Sequence, residues 1–178
     1  MGKFRALGSK PSAEELLKFL EDNFHRAGRE LRIIMPNDFK ENITVLHGIK
    51  DEKLKWFASE IHSKWKSLLR KVDKRRLCEG CESTMLDLPF PFLVPGGRFR
   101  EYYYWDTFWI LEGLYVSEMC LSARSVIENS LWMVEKYGFI PNGSRTYYLN
   151  RSQPPMLPKM VERFLEECGS GLKKPEKF

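Results

Sequence analysis

An apolar stripe between residues 54 and 72 limits the possible folds of this chain more than any other pattern in its sequence. Apolar side chains recur there at steps of three and four, at Leu54, Phe57, Ala58, Ile61, Trp65, Leu68, Leu69 and Val72. This spacing matches the turn of an α-helix, which takes about 3.6 residues. The pattern therefore predicts one amphipathic helix along the whole segment, with Phe57 and Trp65 on the side that faces a core.

Four further segments carry helix signals, which predict helices over residues 13–24, 107–120, 123–137 and 156–168. Ser12 and Glu15 have the spacing of a capping box at the first of these. We expect Asp106 to be the N-cap of the second, and Gly138 to end the third. Residues 28–48 and 78–97 are interpreted as mostly connector. Because no segment shows a convincing period of two, the predicted fold class is all-α.

The charge balance is 29 basic against 24 acidic residues, and the basic excess lies in the N-terminal half. Cationic side chains flank the stripe at Lys64, Lys66, Arg70, Lys71, Lys74, Arg75 and Arg76. A nucleic-acid-binding helix is one alternative. A solvated helix face is the preferred interpretation, because Phe57 and Trp65 on the core side cannot stack on bases. We therefore expect no nucleic-acid partner.

Membrane and metal signals are weak in this sequence. No apolar run approaches the roughly 18 residues that a membrane span needs, so we expect none. Residues 1–7 lack the apolar core of a secretory signal, which leaves the compartment open. Cys78 and Cys81 have the spacing of half a zinc site, but none of the three histidines lies in a paired motif. A plain loop or an incidental disulfide is favoured, and no metal or other cofactor is expected.

Two turn-rich segments, residues 95–106 and 141–155, differ chemically from the rest of the chain. Each sets aromatic rings among arginine and other hydrogen-bonding side chains. Aromatic faces pack against the C–H patches of pyranose rings, and the polar groups can pair with sugar hydroxyls. The composition therefore fits a sugar site on loops. The alternative, equally open on composition, is that ion pairs such as Arg98–Asp106 simply tie the loops together.

These segments resemble a known family. Residues 95–106 read Pro95-Gly-Gly-Arg-Phe-Arg-Glu-Tyr-Tyr-Tyr-Trp-Asp106, and residues 140–155 contain Ile140-Pro-Asn-Gly-Ser-Arg145 and Tyr147-Tyr-Leu-Asn-Arg-Ser-Gln-Pro-Pro155. Both are similar to signature sequences of the trehalases, glycoside hydrolase family 37, and the resemblance covers roughly residues 10 to 165. It implies hydrolysis of α,α-trehalose to two glucose molecules, with inversion, on an (α/α)6 toroid of helical hairpins.

The resemblance also implies a set of substrate-binding residues. Carried over position by position, they are Arg98, Phe99, Trp105, Asp106, Asn142, Arg151, Ser152 and Gln153. Arg98 and Arg151 would donate hydrogen bonds to glucose hydroxyls near the scissile bond, and Trp105 would form an apolar wall. Asp106 and Asn142 would pair with ring hydroxyls, while Phe99 would shape the pocket.

The catalytic Asp and Glu of the family lie downstream of these motifs, so no catalytic residue is assigned in this chain. We therefore expect a single incomplete domain over residues 1–178, a partial toroid truncated before the catalytic half, with a frayed tail over residues 169–178. Glu101 and Asp106 are rejected as replacements. An inverting mechanism needs two carboxyl groups that face each other across the sugar.

Three functional alternatives follow. The first is a trehalase-type glycoside hydrolase by descent, whose isolated chain shows no turnover. The second is a non-catalytic fragment that binds sugar or regulates a partner, and the third is the nucleic-acid-binding helix. The expected ligand is trehalose or glucose. We also expect self-association through apolar helix faces that a partial toroid leaves exposed. Members of the resembled family are often extracellular or membrane-anchored, and the localisation of this chain stays open.

Overall fold

The computed structural model describes residues 5–25 and 28–169. Its helices are α1 (Ala13–Asn23), α2 (Thr44–Gly48), α3 (Glu52–Ser63), α4 (Trp65–Leu68), α5 (Tyr104–Val116), α6 (Cys120–Tyr137) and α7 (Leu157–Cys168). Its strands are β1 (Leu31–Ile33), β2 (Leu69–Val72) and β3 (Phe92–Leu93), and single 3-10 turns cover Lys74–Arg76 and Thr146–Tyr148. The predicted frayed tail lies outside the described residues, apart from Gly169.

The predicted all-α fold class is confirmed, since the described residues form mainly helices and only three short strands. Helices α5 and α6 are joined by residues 117–119 and pack against each other, and α7 packs against both. The centre of this unit is fully buried, with Leu111 and Leu114 from α5, Val126 and Met133 from α6, and Met160 from α7. A hairpin of paired helices agrees with the predicted partial (α/α)6 toroid.

Two predicted helix ends are confirmed. At the start of α1, the Ser12 backbone N–H donates to Glu15 Oε2 at 2.8 Å, and the Glu15 N–H donates to Ser12 Oγ at 3.2 Å. This reciprocal pair is the predicted capping box. At the end of α6, Gly138 has φ +80°, a left-handed conformation that costs glycine little.

The prediction of Asp106 as an N-cap is wrong. Helix α5 begins at Tyr104, with Tyr103 in the cap position, so Asp106 lies within the first turn. There its negative charge still interacts favourably with the positive end of the helix dipole. The backbone amide of Trp105 instead donates its hydrogen bond to Gln153, which lies 48 positions away in the chain.

The predicted continuous helix over residues 54–72 is also wrong. Helix α3 ends at Ser63, α4 is a single turn, and the chain then becomes strand β2. Strand β2 is the middle strand of the sheet, because Leu69 pairs with Leu93 of β3 and Val72 pairs with Leu31 of β1. Hydrogen bonds to two partners outweigh the local helical period.

The apolar stripe is therefore only half buried. Leu54, Phe57 and Ile61 of α3 remain 61%, 58% and 54% exposed, while Trp65 packs against the core. The prediction of Phe57 as a core residue is wrong for this reason.

The antiparallel sheet has the order β1–β2–β3, and its strands contain only two to four residues. Such short strands leave no measurable period in a sequence, so the patterns of residues 28–48 and 78–97 predict connector rather than strand. The sheet joins the N-terminal segments to the helical core, since Leu31, Leu69, Phe92 and Leu93 are all buried.

Two disulfides occur. Cys120–Cys168 joins the start of α6 to the end of α7, with 2.04 Å between the sulfur atoms. Cys78 and Cys81 are bonded within one turn of loop, which agrees with the incidental disulfide of the sequence interpretation. Among residues 5–25 and 28–169, no helix combines the length and apolarity that crossing a bilayer requires.

Candidate functional site

Two loops that are distant in sequence meet beside the N-terminus of α5. We call residues 95–103 loop A and residues 139–156 loop B. The Ser144 N–H donates to the Tyr102 carbonyl at 3.0 Å, and the Tyr104 N–H donates to the Asn142 carbonyl at 3.2 Å. Gly143 lies between them, where an added Cβ would be 3.0 Å from the Tyr102 carbonyl oxygen. The short antiparallel ladder, with a glycine at its tightest point, holds the loops together.

An aromatic row runs across this junction. Its rings are Phe99 and Tyr103 from loop A and Tyr148 from loop B, with centroids 6.0 Å apart for Phe99–Tyr103 and 6.4 Å for Tyr103–Tyr148. The Arg98 guanidinium carbon lies 4.9 Å from the centroid of Phe99, and that of Arg151 lies 5.0 Å from the centroid of Tyr148. The structure thus brings both predicted arginines to one continuous row of contacts.

Arg98 and Arg151 are both exposed at the surface of the loops. Within the described ranges, neither Arg98 nor Arg151 takes part in an ion pair. The interpretation that Arg98–Asp106 is an ion pair that ties the loops together therefore does not describe this structure. Both guanidinium groups are exposed and keep their N–H donors for a ligand.

Three other predicted site residues have structural partners at the same place. The backbone N–H of Trp105 donates to Gln153 Oε1 at 2.8 Å, and Ser152 Oγ donates to the Ile140 carbonyl at 2.6 Å. The Trp105 ring is 40% exposed and makes an edge contact with Trp109. Gln153 therefore fastens loop B to the start of α5, and Ser152 closes loop B on itself.

Asp106 and Asn142 are half-buried at the junction. Asp106 lies in the first turn of α5, one residue beyond Trp105. The Asn142 N–H donates to the Arg151 carbonyl at 2.9 Å, so the two ends of loop B lie side by side. All eight predicted positions consequently belong to loop A, loop B or the first turn of α5.

A buried ionic cluster lies beside this junction, and the sequence pattern does not predict it. Arg145 Nε donates to Glu101 Oε1 at 2.6 Å, and Arg145 Nη1 donates to Glu30 Oε1 at 2.5 Å. The three residues are between 4% and 9% exposed. Glu101 and Glu30 are 44 and 115 residues away from Arg145 in the chain, so no local pattern could have paired them. We call this group the Arg145 cluster.

The electrostatics of the junction follow from its burial. Burial raises the pKa of Tyr103 to about 12, and the Glu101 charge acts in the same direction, so this hydroxyl stays protonated. Burial works to raise the pKa of Glu30, but hydrogen bonds and the Arg145 charge outweigh it and hold that pKa below its usual value. Burial works to lower the pKa of Arg145, and the two carboxylates outweigh it and raise it. Glu30 and Arg145 therefore remain charged at neutral pH.

One group of potential metal ligands occurs within the described residues, away from the loops. His25, Cys78 and Cys81 place their ligand atoms within 4.8 Å of one another. The two sulfur atoms are paired with each other, and metal binding would require both as free thiolates.

A cationic groove of about 290 Å³ lies elsewhere, beside β1 and β2, and is lined by Arg32, Lys71, Val72, Asp73, Lys74 and Arg75. Two of its cations are neutralised, because Arg75 pairs with Asp73 and Lys74 pairs with Asp87. None of its lining residues is aromatic, so it offers no surface on which nucleic-acid bases could stack. The junction of loops A and B, by contrast, combines aromatic rings with exposed arginine side chains.

Comparisons with known proteins identify the relatives of this chain. A family model described as Trehalase matches residues 2–176. The chain is 46% identical over 156 residues to the trehalase of Dictyostelium discoideum, covering 88% of this chain and 26% of that protein. It is 44% identical over 161 residues to the trehalase of Tenebrio molitor, covering 90% and 29%. With the human trehalase it shares 41% identity over 152 residues, covering 85% and 26%.

Among solved structures, neutral trehalase Nth1 from Saccharomyces cerevisiae aligns over 45% of this chain and 14% of that chain, with 40% identity and a TM-score of 0.43. The chain spans about a quarter of the length of the curated relatives it matches.

Proposed function

The chain belongs to the trehalase family, and we propose that loops A and B bind a glucose unit of α,α-trehalose. The observation that carries the proposal is that Arg98 and Arg151 lie at the two ends of one aromatic row, which crosses from loop A to loop B. Both arginines are exposed and have no anionic partner in the described part of the chain. They are therefore available to a neutral, hydroxyl-rich ligand.

The chemistry of the junction suits such a ligand. The rings of Phe99 and Trp105 are 46% and 40% exposed, and an aromatic face accepts the positively polarised C–H groups of a pyranose. Each guanidinium offers several N–H donors in a fixed plane, which match pairs of neighbouring hydroxyl oxygens. The side chains of Asp106 and Asn142 supply acceptors and a further donor beside them.

We further propose that this chain forms one trehalase-like domain that contributes to sugar binding without carrying out hydrolysis alone. Inverting hydrolysis needs a carboxylic acid and a carboxylate on opposite sides of the sugar, roughly 6.5–9.5 Å apart. Glu101 is buried and bonded to Arg145, so its carboxylate is not available to a substrate. Asp106 alone cannot supply both groups.

The experiment that tests binding is a calorimetric titration of the purified chain with trehalose. Arg98→Ala and Arg151→Ala should each weaken binding at least about tenfold, which corresponds to about 1.4 kcal/mol. Arg75→Ala is the matched control, because Arg75 is also an exposed arginine but belongs to the cationic groove. Equal losses in all three variants, or no binding by the unmodified chain, would contradict the proposal.

Turnover is tested in the same preparation by glucose release from trehalose. The proposal predicts none above a buffer blank. Release that disappears in Asp106→Asn would show that the chain is catalytic by itself.

A further inference from the structure

The Arg145 cluster lies next to the ladder that joins the two loops. Glu101 directly precedes Tyr102, and Arg145 directly follows Ser144, so the ion pair continues the backbone pairing of Tyr102 with Ser144 by one residue. Tyr102 N–H also donates to Ser144 Oγ at 3.2 Å. Loop A and loop B are thus connected by backbone, hydroxyl and ionic contacts in consecutive positions.

The cluster also anchors the loops to the rest of the molecule. Arg145 forms an antiparallel bridge with Met85, and its Nη1 lies 3.2 Å from Thr84 Oγ1. Glu30 accepts a further hydrogen bond from Ser83 Oγ at 3.0 Å and stands directly before β1. One guanidinium therefore links loop A, loop B, residues 83–85 and the start of the sheet.

From this arrangement we infer that Arg145 is a positioning residue for the sugar site, which sets the distance and orientation between loop A and loop B. The inference rests on the proposed function. Arg145 is only 5% exposed, so its side chain is shielded from a ligand at the surface of the loops. It acts through the residues beside its partners: Glu101 is two positions from both Phe99 and Tyr103, and Arg145 is three positions from Tyr148.

A purely stabilising role explains the cluster less well. Buried ion pairs contribute little net stability compared with packed apolar residues, because removing charges from water is costly. In addition, Arg145 Nη2 is buried without a partner among the described residues. What an arginine offers over an apolar side chain is a planar fork that fixes the direction of two carboxylates at once.

The test compares Arg145→Lys with Arg163→Lys. Lysine keeps the charge and loses the fork. Arg163 is the matched control, because it forms a two-point ion pair with Glu112 between α5 and α7, away from both loops. Two quantities are measured for each variant and for the unmodified chain: the dissociation constant for trehalose, and the hydrogen exchange rates of single backbone amides.

In Arg145→Lys we expect trehalose binding to weaken at least tenfold. The amide of Ser144, which donates to loop A, and the amide of Tyr104, which donates to loop B, should exchange at least tenfold faster, while the amide of Ala123 in α6 keeps its rate. Arg163→Lys should change neither the affinity nor the two loop amides. Glu101→Gln, which keeps the shape and loses the charge, should shift both quantities in the direction of Arg145→Lys.

Unchanged affinity in Arg145→Lys would overturn the inference, and so would an equal acceleration of all amides in both lysine variants. If the unmodified chain binds no trehalose, the proposed function fails. The exchange rates then decide alone whether Arg145 holds the loops together.

Discussion

The side-chain oxygen of Gln153 accepts a hydrogen bond from the backbone amide of Trp105, with 2.8 Å between the heavy atoms. The two residues are 48 positions apart, and both were predicted to contact a sugar. The first turn of a helix has amides without partners inside the helix, and Gln153 satisfies one of them. Loop B is thereby fixed to the end of α5 that carries Trp105 and Asp106.

Replacing Gln153 should therefore destabilise the fold as well as the site. We expect Gln153→Ala to lower the free energy of unfolding by about 1 kcal/mol, as the loss of a helix-capping acceptor does. Gln153→Glu should keep most of the stability, because a carboxylate also accepts the hydrogen bond and favours the helix dipole. Urea unfolding followed by circular dichroism measures both. Equal destabilisation by the two variants would contradict this role.

Acid should weaken the attachment of α2. Glu118 accepts from the Thr44 N–H at 2.7 Å and pairs with Lys40, and the hydrogen bonds from Thr44, more than Lys40, lower the pKa of Glu118 from 4.5 to about 2. A carboxyl whose pKa is lower in the folded state contributes stability that is complete above pH 4.5. That contribution is lost as the pH falls from 4.5 toward 2.

Glu118→Gln should accordingly be less stable than the unmodified chain at pH 7, and the difference should shrink between pH 4.5 and pH 2. The control is Glu135→Gln on the exposed side of α6, which removes one carboxylate away from Thr44 and Lys40. Urea unfolding at a series of pH values gives the comparison. A difference that stays constant down to pH 2 would show that the Glu118 charge does not matter.

The two disulfides should differ strongly in their effect on stability. Cys120 and Cys168 close a loop of 48 residues, for which the chain-entropy estimate is about 4 kcal/mol, whereas Cys78 and Cys81 are 3 residues apart. The double variant Cys120→Ser with Cys168→Ser should lose several kcal/mol of unfolding free energy. The double variant Cys78→Ser with Cys81→Ser is the control and should lose much less. Similar losses from both pairs would contradict the chain-entropy account.

Self-association should depend on the exposed apolar side of α3. Leu54, Phe57 and Ile61 are more than half exposed and follow one another at helical spacing, which is unusual on the surface of a monomer. We expect sedimentation velocity to show an average mass that rises with protein concentration. Phe57→Glu should suppress the rise, while Ser59→Glu, on the same helix, should leave it unchanged. A chain that remains monomeric at all concentrations would refute the prediction.

The features of the fold that depend on neighbouring residues can be predicted from the sequence. The capping box at Ser12 and the glycine end of α6 are local patterns, and both are confirmed. The motifs around Arg98 and Arg151 identified the family, which the comparisons confirm. The assignment of the eight substrate-binding residues stays a prediction, and the structure adds that they lie at one junction.

The remaining features depend on partners far away in the chain. Residues 69–72 have a helical period but form a strand, because β1 and β3 lie on either side of them. Asp106 is a residue type that favours the N-cap position, yet α5 begins at Tyr104, where Gln153 of loop B accepts the hydrogen bond of the Trp105 backbone amide. The partners of Arg145 and the Cys120–Cys168 bond are likewise non-local, and a single sequence offers no signal for them.

Joint binding of trehalose by loops A and B can be observed residue by residue if the sugar is mapped onto the chain by NMR. Trehalose is titrated into isotope-labelled protein, and the shifts of backbone amides and tryptophan indole N–H groups are followed. We expect saturable shifts for Trp105, Gly143 and Arg151, with the cationic groove at Arg32 and Lys71 unaffected. Shifts confined to that groove, or no saturable shift in either loop, would contradict it.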